Sequence, residues 1–499
     1  MAQNLPLEII DHITNECLPD IEALRSSSLI SKLWTITAQQ RLFSRVSIFP
    51  ELVRAVPSTV DFRGSEEYSG YPFLQYILDG SIEKFKKHLE ETPHLADFIK
   101  ELHLGTSKRP SFSTRIGLYY KSEEVTDSAF TGAGEIVARF DELESMSLFF
   151  TEDYDWAKLT FMHESLSHAM GSSKLRYLKI GHVVFATQSQ FNKLLGNCVA
   201  LEVLVIDYVK IGAAADSETG QEAAEKSRPR LIELTVHTEP QSLSQIVQAF
   251  ISPSSPVDVS SLIRLSLWCQ YPKKRKYNLV GPICLLLQKT QCLQHLQLFA
   301  CLTGPLYQYI SPASLQTLYV CDQHDEKSSS LSWLAKSLEV GSNSESGLAL
   351  TELSIDLYKP RGYSSENLST SSNDWAHLGA TLELHARQLR RVMVRSKETD
   401  FRRSYMMHPQ ENSIRIRSED FRNAMGMRWR EDVVIRFIPY QTEYEVVYSG
   451  SHCEDFYECD KEPTLADWLG NWEIKDDPEG ESSEEFQQGA SAHPSQSDQ

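Results

Sequence analysis

An apolar triad spaced Leu-x-x-Leu-x-Leu, with Ile, Val or Met as substitutes, recurs ten times between residues 99 and 394. The copies are Ile99/Leu102/Leu104, Leu143/Met146/Leu148, Leu175/Leu178/Ile180, Leu201/Leu204/Ile206 and Leu231/Leu234/Val236. They continue as Leu262/Leu265/Leu267, Leu293/Leu296/Leu298, Leu315/Leu318/Val320, Leu350/Leu353/Ile355 and Leu389/Val392/Val394. A single copy arises by chance in any leucine-rich chain. Ten copies, with six of the nine spacings between them at 22–32 residues, require a common cause. Alternation at the last two positions predicts a short strand with one face in a core. The gaps carry helical spacing at Trp156–Met170, Gln190–Leu195, Leu243–Phe250, Ile283–Leu287, Leu331–Leu338 and Trp375–Arg387. Strand, helix and strand at this period predict an α/β solenoid with a parallel sheet curved into an arc.

The array, residues 98–396, resembles leucine-rich repeats. It departs from them in its longer, uneven spacing. The Asn/Cys position that normally tucks under each turn is matched clearly only by Cys301. Some turns are therefore expected to lack that internal hydrogen-bond ladder. Residues between the leucines point away from the core and stack in columns. One column is Tyr177, Val203, Glu233, Arg264, His295 and Thr317. The next is Lys179, Val205, Thr235, Ser266, Gln297 and Tyr319. The third is Gly181, Asp207, His237, Trp268, Phe299 and Cys321. Trp268 and Phe299 are expected as exposed neighbouring aromatics, the residue type that dominates binding hot spots. Loops or the acidic tail covering them is the equal alternative. A protein target is expected to contact Tyr177, Lys179, Arg264, Trp268, His295, Phe299 and Tyr319.

Residues 1–50 read as three short helices. Pro6 suits a first helical turn, and Ile9, Ile10, Ile13 and Cys17 follow along one stripe. Leu18-Pro19-Asp20 breaks the first helix. Ile21 and Leu24 share a face of the second, and Trp34, Ala38 and Leu42 a face of the third. About forty residues bury too little for an independent core. The order Leu5-Pro6-x-Glu8-Ile9-Ile10-x-x-Ile13, Ile21-x-x-Leu24, Ser28-Leu29-Ile30-Ser31-Lys32-x-Trp34, Arg41-Leu42-Phe43-x-x-Val46 resembles an F-box. The resemblance implies binding to a Skp-type adaptor and, through it, a cullin ubiquitin-ligase scaffold. Carried over by position, the adaptor contacts are Leu5, Pro6, Ile9, Ile10, Ile13, Leu24, Leu29, Trp34 and Leu42. Leu33 departs from the family, which often has a basic residue there. The alternative is a leucine-rich-repeat scaffold whose head is merely the N-terminal cap, with no ligase attached.

The other segments divide into a connector at 51–97 with one helix, Ile82–Glu91, a C-terminal cap at 397–450, and an acidic tail at 451–499 expected to be mostly disordered. The cap holds a helix at Ser418–Trp429 and strands at Asp432–Pro439 and Thr442–Tyr448. The tail has fourteen Asp/Glu against two Lys/Arg, a net of −12 in a chain of −19. That balance argues against nucleic-acid binding. No apolar run leads the chain as a signal peptide would, and no window reaches the ~18 apolar residues of a membrane helix. Nine scattered cysteines with no C-x-x-C read as free buried thiols in a reducing compartment, cytoplasmic or nuclear. The run Lys273–Lys276 reads either as a nuclear-import-like signal or as a solvated loop. No catalytic constellation survives inspection, and no cofactor or metal is expected. His163 and His168 are five apart, about 140° around a helix, so they diverge. Gly132-Ala133-Gly134 is a truncated dinucleotide fingerprint. An enzyme site assembled from distant residues would need a deep polar cleft.

Overall fold

A computed structural model describes residues 6–16, 21–30, 32–49, 52–56, 78–80, 82–105, 132–212, 228–269, 280–299, 304–323, 330–343, 347–359, 372–398 and 434–439. All belong to one compact unit, residues 1–60 and 69–452. Leu5, Cys17, the Pro19 break, Ser31, Lys273–Lys276, Cys301, Ser418–Trp429, Thr442–Tyr448 and the acidic tail with Cys453 and Cys459 lie outside the described residues.

The chain opens with α1 (Leu7–Glu16), α2 (Ile21–Ser27) and α3 (Lys32–Leu42). Helices α1 and α2 both pack on α3. Their shared core is Ile10, Leu24, Trp34, Ala38 and Leu42. Thr14, also buried, satisfies its hydroxyl by donating to the Ile10 carbonyl at 2.8 Å. Asp11 on α1 meets Arg41 on α3 at 2.7 Å. Both side chains keep solvent contact, so that pair contributes well under about 1 kcal/mol.

Two residues after α3 the chain enters β1 (Arg45–Phe49), which pairs antiparallel with β2 (Leu52–Val56). Strand β2 pairs in turn with β3 (Leu78–Gly80). The expected Ile82–Glu91 helix is α4, burying Ile82, Phe85 and Leu89 at its three- and four-residue spacing. A short 3-10 helix, Pro93–Phe98, then leads into β4 (Glu101–Gly105), which pairs parallel with the other side of β1.

From β4 onward each rung lies beside its predecessor: β5 (Ser145–Asp155), β6 (Tyr177–Phe185), β7 (Val203–Asp207), then the short β8 (Lys210–Ile211) against the far end of β6. The sheet continues through β9 (Glu233–Thr238), β10 (Arg264–Cys269), β11 (His295–Leu298), β12 (Thr317–Gln323), β13 (Glu352–Lys359), β14 (Arg391–Glu398) and β15 (Val434–Pro439). Among the described residues the sheet is open, with β3 and β15 at its edges, and every pairing is parallel except β1 with β2 and β2 with β3. The architecture is α/β with a parallel sheet.

Helices α5 (Ala133–Val137), α6 (His163–Met170), α7 (Gln188–Gly196), α8 (Pro240–Ile251), α9 (Val280–Lys289), α10 (Ser330–Ser342) and α11 (Ser372–His385) occupy the gaps. Neighbours pack on each other, as α8 on α9 and α10 on α11. Five of the expected helices match α7 to α11. The sixth, Trp156–Met170, divides into a 3-10 segment, Trp156–Met162, and α6. The shortest repeat, Leu293 to Leu315, is crossed by a 3-10 turn at Leu306–Gln308. A 3-10 turn suits that gap because it closes in three residues.

The ten triads fall into register without a slip. Leu102, Met146, Leu178, Leu204, Leu234, Leu265, Leu296, Leu318, Leu353 and Val392 are Cα partners from strand to strand. All ten are buried. At about 1.5–3 kcal/mol per fully buried Leu or Ile, these rows are the main stabilising term of the sheet. Strand β1 extends the rows with Val46 and Ile48, and β15 with Ile435 and Phe437. The strand expected at Asp432–Pro439 is thus one more parallel rung.

A second regularity needs no side chain. At each strand entrance one carbonyl accepts two successive N–H groups from the next strand. Ser44 accepts Lys100 and Glu101, Lys100 accepts Glu144 and Ser145, and Ile232 accepts Ile263 and Arg264, all at 2.8–3.1 Å. The same pattern runs through Glu144, Arg176, Glu202, Ile263, Gln294, Gln316 and Thr351. Cys198, Cys269, Cys284 and Cys321 form no disulfide and are buried, as expected, whereas Cys292 is exposed. Burial pushes the Cys198 thiol up to about 12, so it is inert at neutral pH.

Candidate functional site

Two surfaces answer to the site residues read from the sequence. On the head, Pro6 and Ile9 are exposed, Ile13 is half-buried and Leu29 is 86% exposed. Ile10, Leu24, Trp34 and Leu42 are buried, so these four build the three-helix core and present no surface. Side chains outside the set that the F-box resemblance implies join the exposed ones: Ile30 (46%), Leu33 (38%) and Ile36 (46%). Leu33 and Ile36 lie one turn apart on α3, off the Trp34/Ala38/Leu42 stripe, so this helix carries two apolar stripes. That second stripe was the available sequence signal. Thr35 donates to the Ser28 carbonyl at 2.5 Å, tying the turn with Leu29 and Ile30 to the same helix.

The second surface is the sheet face opposite the leucine rows. Registers place Tyr177, Val203, Glu233, Arg264, His295 and Thr317 side by side, as the columns predict. Lys179, Val205, Thr235, Ser266, Gln297 and Tyr319 form the next row. The third holds Gly181, Asp207, His237 and Trp268 and then stops, because β11 ends at Leu298. Tyr177, Lys179, Arg264 and His295 are half-buried. Arg264 pairs with Glu233 at 3.3 Å and His295 Nδ1 with the Thr317 hydroxyl at 2.7 Å. Burial, helped by the Arg264 charge, holds the His295 imidazole below its ordinary range.

The expectation of two exposed aromatics is corrected. Trp268 is 6% and Phe299 1% exposed. Phe299 lies beyond the last paired residue of β11, so strand alternation no longer sets its side. Trp268 stands between His237 and Tyr319, each ring centroid 6.4 Å away. Tyr319 is itself buried. These rings end a ladder that crosses the sheet from Phe149 to His182 (5.5 Å), Tyr208 (4.9 Å, stacked) and His237 (4.5 Å). His182 and Tyr208 follow the register pair Gly181/Asp207 and both have positive φ, 53° and 48°. A left-handed bulky residue costs about 1 kcal/mol or more, and here two adjacent ones turn their rings face to face. Gly181 is required for another reason: a Cβ there would lie 2.2 Å from the Phe149 ring.

Two further contacts on this face involve charged groups. The Lys179 ammonium sits 4.8 Å from the Phe149 ring centroid, a cation–π contact. Asp207 and His237 Nδ1 are 3.1 Å apart. Burial alone would raise the Asp207 carboxyl. The His237 hydrogen bond and the charges of His237, Lys179 and His182 outweigh it and hold the group below the usual carboxylate range. His103, two strands away, is pushed down to about 4 by burial, with Arg45 and Lys179 adding to the effect.

The His103 shift predicts a pH dependence. The unfolded imidazole takes a proton below about 6.5, whereas the folded one resists until about 4. Stability is therefore complete above pH 6.5 and falls as pH drops toward 4. The loss is about 2 kcal/mol, discounted because the ring keeps some solvent contact. Urea midpoints at pH 7.5 and 4.5 should differ less in His103→Asn than in the parent. Equal differences would remove His103 from the account.

The described residues contain no group of three His, Cys, Asp or Glu arranged to hold a metal ion, and no helix long and apolar enough to cross a membrane. His163 stacks on Trp156 at 4.6 Å while His168 faces Asp141, so the two histidines diverge as their spacing requires. No family model matches the chain, and no curated protein matches it. Among solved structures, it is similar to a Bacteroides fragilis protein of known crystal structure, with 8% identity and a TM-score of 0.32. That similarity covers 60% of this chain and 66% of the other, just under two thirds of its length.

Proposed function

We propose that the chain is the recognition subunit of a cullin-type ubiquitin ligase. Its head, read as an F-box, binds a Skp-type adaptor, and its repeat array, read as an irregular leucine-rich-repeat solenoid, holds a protein target. The observation that carries this reading is the distribution of exposed large apolar side chains. Ile9, Leu29, Ile30, Leu33 and Ile36 cluster within one short head. The rest of the described chain adds Val199, Ile232, Leu285 and Leu384, scattered far apart in sequence. Apolar surface concentrated on two packed helices and a turn is the mark of an interaction site. In this reading the chain positions its target and leaves the bond chemistry to the ligase.

One observation favours the scaffold alternative. The head runs directly into β1, whose buried Arg45 is 2.9 Å from Glu101 of β4. A head so continuous with the sheet also serves as its N-terminal cap. Titrating the full chain with a purified Skp-type adaptor separates the readings. A saturable one-to-one complex supports the ligase subunit, and the absence of any complex supports the scaffold.

A further inference from the structure

The outer face of the sheet is tied side chain to side chain across three successive strand pairs. Glu233 on β9 meets Arg264 on β10, Ser266 on β10 donates to Gln297 on β11 at 3.0 Å, and His295 on β11 meets Thr317 on β12. This lateral tying stops at β6 and β7. There the register partners are Tyr177 with Val203 and Lys179 with Val205, all four half-buried. Val203 and Val205 are the only aliphatic residues in these two rows from β6 to β11. A β-branched side chain suits any strand. Two of them beside a cation also make an apolar step with a charge at its edge.

Lys179 stands apart from the cations around it. Arg45, Arg176, Lys210 and Arg264 each meet a carboxylate, on Glu101, Glu202, Asp153 and Glu233. The Lys179 ammonium meets no hydrogen-bond acceptor and no ion-pair partner among the described residues, and rests 4.8 Å from the Phe149 ring centroid. Asp207, one row further on, feels the Lys179 charge, but its carboxylate is buried and engaged by His237. The seat of the ammonium is built. Gly181 leaves the space that the Phe149 ring fills, the ring packs on His182, and His182 stacks on Tyr208. His182 and Tyr208 both hold left-handed backbone, a strain that persists only where the surroundings over-determine it. None of this packing serves the leucine core, which lies on the opposite face of the sheet.

A positioned, unpaired ammonium beside half-buried valines is complementary to a carboxylate carried next to an aliphatic side chain. Resting on the reading of the array as a target-binding surface, we propose that Tyr177, Lys179, Val203 and Val205 are its anchor point, and that the target presents there an acidic residue adjacent to an aliphatic one. The carboxylate meets Lys179 and the aliphatic side chain covers Val203 and Val205. A chain of net charge −19 repels acidic segments in general, so such a preference is specific to this patch.

The test is panning of short random peptides, displayed on phage, against the full chain, followed by titration of the selected peptides in solution. Only peptides that still bind the Leu33→Asp, Ile36→Asp double variant are kept, which excludes those seated on the head. The selected peptides are expected to carry Asp or Glu beside Val, Ile or Leu. Lys179→Glu should weaken the best of them at least tenfold, and changing the acid of that peptide to Lys should recover the loss, a rescue that misfolding cannot imitate. Val205→Asp, which sets a carboxylate beside Lys179 in register, should weaken the original peptide at least tenfold as well. Titration with a Skp-type adaptor separates this proposal from the ligase reading: a parent chain that shows the peptide preference but binds no adaptor supports the anchor point and sinks the ligase reading alone. The proposal is overturned if no selected peptide saturates, if the selected peptides lack an acidic residue, or if Lys179→Glu binds them like the parent.

Discussion

Changing Leu33 and Ile36 to Asp together is expected to weaken binding of a Skp-type adaptor at least ~100-fold, about 3 kcal/mol. Both side chains are more than a third exposed, so neither charge enters the helical core. The free chain should therefore keep its fold. In a complex the two carboxylates would be trapped against apolar surface, where burial without a partner costs several kcal/mol. Hot-spot energetics concentrate such losses in a few central residues. Trp34→Ala is the informative contrast. Trp34 is 5% exposed, and truncation leaves a cavity worth about 3–5 kcal/mol of stability. It should abolish binding by melting the head, visible as lost helical circular dichroism. The double Asp variant should abolish binding with that signal intact. A double variant that binds within a few fold of the parent would remove this face from the adaptor interface.

The second large effect lies in the leucine rows. Leu234→Ala should destabilise the array by about 3–5 kcal/mol, read as a lowered urea midpoint with an unchanged slope. Leu234 is fully buried and stands between Leu204 and Leu265 in the same row. Both neighbours are pinned by ladder hydrogen bonds on either side, so the sheet cannot close over the cavity. Ile232→Ala, two residues away and 37% exposed, should cost well under 1 kcal/mol. Similar losses at the two positions would mean that the register does not govern stability.

The array was legible because its signal is side-chain periodicity. Each copy fixes a strand, its inward face and its partner row, and ten copies over-determine the register. The backbone ladder at the strand entrances was invisible for the complementary reason: carbonyls of Ser44, Arg176 and Ile232 accept alike, whatever side chain they carry. Strand β1 was obscured by assignment. The F-box resemblance takes in Val46 as its last residue, although Val46 and Ile48 alternate as strand residues do.

The site was legible only in outline. Alternation correctly put Tyr177, Lys179, Arg264 and His295 on the outer face. It could not say that Trp268 would be wedged between two rings, because lateral packing depends on neighbours more than twenty residues away in sequence. The left-handed turns at His182 and Tyr208 also carry no local mark, since neither residue is a glycine or asparagine. On the head, the motif resemblance picks positions by residue type and order and so mixes core residues such as Leu24 with surface ones such as Leu29. Burial, not the motif, separates the two.

Hydrogen exchange of the full chain with and without a Skp-type adaptor tests the central claim most directly. Slowed exchange confined to α1 and to the stretch from Leu29 through α3, with the amides of β6, β7 and β9 unchanged, is the expected pattern. Protection that appears on the sheet face instead, or nowhere while the adaptor is in saturating excess, would contradict it.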